Sequence, residues 1–127
     1  MIGYKVCIQS NGEYTSLNSY TPCKYLLGEE YTLNDGSAFF LYSTLEAAQK
    51  TAGKYGPIFK TEYVPSDLPI QIGSSVGLTQ YEFEFRLPWD TRRTRDNKYR
   101  ICPGSSYVCC HRDTVFASSV KLLERIQ

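Results

Sequence analysis

Between Trp89 and Arg100 the chain reads Trp-Asp-Thr-Arg-Arg-Thr-Arg-Asp-Asn-Lys-Tyr-Arg, with four arginines and one lysine against two aspartates. A guanidinium fork meets phosphate oxygens two at a time, and an aromatic ring offers a base a face to stack on. Arg92, Arg93, Arg95, Lys98 and Arg100, with Trp89 and Tyr99, therefore have the chemistry of a site for an anionic nucleotide. The same residues suit docking on an acidic protein surface. A solvated polar turn is the plain alternative. The background makes the segment stand out: 14 basic and 13 acidic residues leave the whole chain at +1. No global field would draw in nucleic acid or an anionic membrane, so the charge is local.

A second group is Cys102, Cys109, Cys110 and His111. Thiolate and imidazole are zinc ligand types. The spacing does not fit a zinc knuckle, and neighbours such as Cys109 and Cys110 would face opposite sides of a strand. No metal site is expected. Nor does any cysteine stand at a helix start, where a thiolate would be activated. The five cysteines are odd in number and irregular in spacing, which predicts reduced, mostly buried thiols rather than a disulfide framework.

A third group joins Ser43 and Thr44, at the end of an apolar run, to Glu82 and Glu84 further on. Plain structure explains the same residues. Ser43 with Glu46 three residues later reads as a capping box. Tyr81, Phe83 and Phe85 alternate with Glu82, Glu84 and Arg86, as in a strand with one wet face.

These residues need elements to hold them. Tyr4 to Ile8 and Glu13 to Leu17 read as a hairpin around Asn11-Gly12. Short extended pieces follow at 25–27 and 31–33, then a turn at 34–36. Ala38 to Tyr42 reads as a buried strand running into a helix over about 43–55, with Leu45, Ala48 and Ala52 on one face and Gly56-Pro57 as the stop. Ile58 to Val64 is a strand, 65–77 a loop, Leu78 to Leu87 the cleanest strand, and Pro88 to Lys98 a charged loop. Strands are also expected at 99–102, 107–110 and 115–116, and 120–126 reads as a last strand in preference to a short helix. At 127 residues, 42% apolar, this predicts a single α+β domain over 1–127. It is a mainly antiparallel, twisted β-sheet with one α-helix packed on it. The high share of tyrosine suits half-buried strands and binding surfaces alike. No run reaches the roughly 20 apolar residues of a membrane span. The opening residues have no signal-peptide pattern, so a cytoplasmic protein is expected.

Two resemblances bear on function. Lys5, then Ser43-Thr44, then Glu82-x-Glu84 follows the order of the ADP-ribosyltransferase pattern. Lys5 stands where that family has arginine, and Leu45 where it has a third serine. The resemblance implies an enzyme using NAD. Tyr4-Lys5-Val6, the segment from Phe39 to Ala48, and Ser119 to Glu124 resemble small accessory proteins of phages and mobile elements. That likeness implies a cofactor-free binding protein in the host bacterial cytoplasm. It would inhibit a host defence system by docking on a defence protein or by sequestering an anionic nucleotide. A second copy of the chain is a further candidate partner. The binding protein is the leading expectation, and the transferase is the alternative.

Overall fold

The computed structural model describes residues 1–16, 24–33, 38–53, 56–67, 71–72, 82–86, 89–93, 99–103 and 107–127, of which 71–72, 82–86, 89–93, 99–103 and 107–110 are described as backbone. The mainly antiparallel α+β architecture is as expected. Strands β1 (Ile2–Ser10) and β2 (Glu13–Ser16) form the hairpin. Asn11 and Gly12 both take positive φ, 52° and 77°, the conformation an Asn-Gly two-residue turn supplies at low cost. β3 (Lys24–Tyr25) adds to the outer side of β2, and β4 (Glu30–Thr32) follows a turn through Gly28.

The buried strand is β5 (Phe39–Tyr42), followed by α1 (Leu45–Ala52) and β6 (Ile58–Pro65). β12 (Thr114–Arg125) pairs with β4, β5 and β6. β1 also pairs with β5 and β6. The circuit β1–β5–β12–β6–β1 therefore closes on itself as a small antiparallel barrel. Its interior holds Cys7, Phe39, Leu41, Phe59, Tyr63, Val120 and Leu122. Gly3 lines the same side. A methyl there would sit 2.9 Å from both Leu41 Cδ1 and the Tyr42 carbonyl oxygen, so the filled interior leaves it no side chain.

α1 packs on the outside, against Val6 and Ile58 with Tyr4 and Tyr42 at the margin. Its buried residues are Ala47, Ala48 and Ala52, the small side chains that let a helix lie close to a sheet. The helix is shorter than the expected 43–55. Gly53 ends it at φ 51°, with its amide on the Gln49 carbonyl at 2.8 Å. A glycine takes that left-handed conformation cheaply, so the chain stops at the first one it meets.

Three further corrections concern strands. Residues 115–116 and 120–125 belong to one long strand, β12, which ends one residue before the expected 126. A register shift between Ala117 and Ser119 puts Ala117 and Val120 both inward, which breaks the period of two that a pattern reading relies on. The expected loop at 65–77 contains β7 (Gln71–Ile72), paired with β8 (Glu82–Arg86), and β8 also pairs with β11 (Tyr107–His111). The expected charged loop at 88–98 contains β9 (Trp89–Arg93), paired with β10 (Tyr99–Pro103). Thr, Trp and Arg alternating with one Asp carry no hydrophobic period, and the partner strand alone shows the extended state. Among the described residues, no helix is long and apolar enough to cross a membrane.

Candidate functional site

The basic segment is built on an antiparallel ribbon. Arg92 lies directly opposite Arg100, Arg93 opposite Tyr99, and Trp89 opposite Pro103. Directly opposed residues in an antiparallel pair share a face, and faces alternate along each strand. Arg92 and Arg100 thus share one face with Asp90 and Cys102. Trp89, Arg93 and Tyr99 share the other. Two like charges opposite one another destabilise a strand pair. An anion between them would reverse the sign of that term. Arg95 and Lys98 fall outside the described residues.

The second constellation gathers at the start of α1. Asp113, in the turn between β11 and β12, reaches across to it. The Asp113 carbonyl accepts the Ser43 amide at 2.9 Å and the Ser43 hydroxyl at 3.3 Å. Its carboxylate accepts the Thr44 hydroxyl at 3.4 Å. Thr44, rather than Ser43, is the N-cap, and its hydroxyl oxygen accepts the Ala47 amide at 3.2 Å. The capping box therefore does not form. Ser43 is held by a residue seventy positions away, and the cap moves one residue on. Glu46 is left in the first turn, where its charge complements the helix dipole.

His111 completes this corner. Its Nδ1 accepts the Asp113 amide at 3.1 Å and lies 3.9 Å from the Asp113 carboxylate. With Nδ1 engaged as the acceptor of the Asp113 amide, the ring does not present Nδ1–H to the carboxylate. A serine–histidine–aspartate relay needs the opposite arrangement, with Nδ1–H donating to the carboxylate. Glu46, Lys50, His111, Arg112 and Asp113 line a shallow cleft of about 300 Å³ beside the helix start. The sequence gives no sign of this convergence, because it depends on a tertiary approach between two turns.

The residues of the transferase pattern divide between the two sides of the barrel wall. Lys5 is buried inside the barrel at 1% exposure, its ammonium donating to the Phe40 carbonyl at 2.8 Å and standing 5.6 Å from the Tyr25 ring centre. Ser43 and Thr44 are exposed at the helix start, on the outer side. Glu82 is opposite His111 in the ladder, and Glu84 opposite Cys109. The backbone thus brings the Glu-x-Glu strand up to the corner that holds Ser43 and Thr44, and keeps Lys5 apart from it. Cys7 is buried in the barrel and forms no disulfide. Among the described residues, no three His, Cys, Asp or Glu side chains are grouped as metal ligands.

The cap is open to a direct check. Thr44→Ala should lower stability by about 1 kcal/mol in urea unfolding, the usual value of an N-cap hydroxyl. Ser43→Ala should cost less, because the Ser43 amide keeps its bond to Asp113. Equal losses for the two would assign the cap wrongly.

No protein-family model matches the chain, and no curated protein or solved structure is similar to it.

Proposed function

We propose that this chain acts by binding rather than by turnover, and that the β9–β10 ribbon is its contact surface for an anionic nucleotide. The observation that carries this is the register: Arg92 faces Arg100 directly. Opposed positions lie about 4.5–5.5 Å apart between Cβ atoms, so the register sets two arginine positions side by side. In this reading the protein is an accessory protein of phage type. It sequesters the nucleotide in the host bacterial cytoplasm and so blunts a defence system that depends on it.

The opposite face of the ribbon favours a second mode. Trp89, Arg93 and Tyr99 share it, and Trp, Tyr and Arg are the residues that most often anchor protein interfaces. That face would dock on an acidic surface of a host defence protein.

Thermal unfolding with and without nucleotide tests the first mode. Adenosine triphosphate and a cyclic dinucleotide are suitable probes. Ligand at a hundredfold its dissociation constant stabilises by about 2.7 kcal/mol, roughly 10 °C for a chain of this size. The Arg92→Ala/Arg100→Ala double variant should lose that shift, and raising the salt should weaken it in the wild type. A shift that survives the double substitution would remove the ribbon from the site. Capture of one acidic host protein, lost in Arg93→Ala but kept in the double variant, would favour the docking mode.

A further inference from the structure

A second concave site, sharing no lining residue with the cleft at the helix start, lies on the β2–β3–β4 side of the fold. It is a cleft of about 410 Å³ bounded by Tyr14, Tyr25, Tyr31, Leu26 and Leu27, with Glu13 and Lys24 on its rim. Its volume is that of a small-molecule pocket.

The walls are held rigidly. Tyr25 is buried, and the Tyr31 ring stands edge-on to it at 5.3 Å and 89°. Tyr14 packs edge-on to Phe59 at 4.8 Å. The Tyr31 hydroxyl oxygen accepts the Leu26 amide at 2.8 Å, which ties the lip to the wall. The same lip is tied to the barrel through the Gly28 amide, 2.8 Å from the Leu122 carbonyl. These four contacts pre-organise the site, which lowers the ordering cost of binding.

The lining also restricts the ligand. Leu26 and Leu27 are 67% and 50% exposed, apolar surface that an occupant would cover. The rim charges already neutralise each other, Lys24 Nζ lying 3.3 Å from Glu13 Oε2. The cleft therefore presents no net charge to a guest. The Tyr31 hydroxyl accepts from Leu26 and still has its own proton to donate. Aromatic walls, an apolar lip, the Tyr31 hydroxyl as donor and no net charge describe a receptor for a flat ring with an acceptor on its edge.

We propose that this cleft binds an uncharged planar heterocycle of nucleoside size, set against the rings of Tyr14 and Tyr31 and covered by Leu26 and Leu27. The site is separate from the ribbon and does not depend on it.

Adenosine, which carries no phosphate, is the probe. Saturation-transfer and nuclear Overhauser spectra of the full chain should show contacts from the adenine protons to the Tyr14 and Tyr31 rings. Leu27→Asp changes an exposed residue, so the thermal midpoint should hold while affinity falls roughly tenfold, the loss expected for about 1.4 kcal/mol of apolar cover. Leu26→Ser should act in the same direction. The Arg92→Ala/Arg100→Ala double variant should bind adenosine as the wild type does, which separates this site from the ribbon. Absence of contacts to either ring, with adenosine and with indole, would overturn the proposal. So would unchanged adenosine affinity in a folded Leu27→Asp protein.

Discussion

Gly56→Ala is expected to cost about 3 kcal/mol or more, a fall in melting temperature of roughly 10 °C, although it adds one methyl group. A Cβ at this position would run into the carbonyl oxygen of Cys7 and lie 3.3 Å from that carbonyl carbon. Both partners are backbone, so no side chain can turn aside. Neither segment can retreat without loss. The Cys7 amide is bonded to the Pro57 carbonyl at 3.0 Å, and the next pair in the ladder is Val6 with Ile58. Gly12→Ala is the control. Gly12 has φ 77° and nothing within 4 Å of its added methyl, so that change reports conformational strain alone, about 1 kcal/mol. If the two variants melted together, close approach would not be the reason for Gly56.

Lys5→Ala should be comparably damaging, by about 3–4 kcal/mol, and Lys5→Met much less so. The ammonium sits in the barrel interior on the Phe40 carbonyl. Alanine removes the charged hydrogen bond and leaves the volume of the stem empty. Methionine fills most of that volume and carries no charge to desolvate, and an apolar replacement of a buried ionic group is often tolerated. Urea unfolding of the two variants measures the difference. The pair also separates two views of the residue. A lysine that contacted a dinucleotide would leave the fold intact in either variant and abolish release of nicotinamide from NAD. The binding reading expects no nicotinamide release from the wild-type chain. Release that Lys5→Met abolishes without loss of stability would restore the transferase reading.

Lys5 also shows where sequence reading stops. A lysine in a strand pattern reads as a residue for solvent or for substrate. Only the closure of the barrel around it makes it interior. The Asn11-Gly12 hairpin was legible because its chemistry is local: two residues with positive φ, flanked by strand formers. The buried run at 38–42 and the small-residue face of α1 were legible for the same reason. The helix start was legible to within one residue. Ser43 and Thr44 are both able to cap, and the choice between them was made by Asp113 from a distant turn. A bulge shifts the phase of β12, so its pattern reads as two strands. β9 reads as a loop because pairing, not hydrophobic period, makes it a strand. The basic residues of the candidate site were visible as a cluster, but the division of Arg92 and Arg100 from Arg93 and the two aromatics follows from register alone. The tyrosine cleft had no trace in the sequence beyond the number of tyrosines, since its walls come from three separate strands and a turn.

The position of β12 in chain order carries a kinetic consequence. β1, β5 and β6 all precede the strand that joins β5 to β6, and most of the interior they share is closed by Val120 and Leu122. As the chain leaves the ribosome, the β1–β2 hairpin and the β1–β6 pair can form, but Phe39, Leu41 and Phe59 have no completed enclosure until Thr114–Arg125 has emerged. Contacts so distant in sequence pay their loop-closure entropy before they are rewarded. Folding should therefore be late and abrupt rather than progressive, and a nascent chain arrested before β12 should remain open to protease along the whole length of β5.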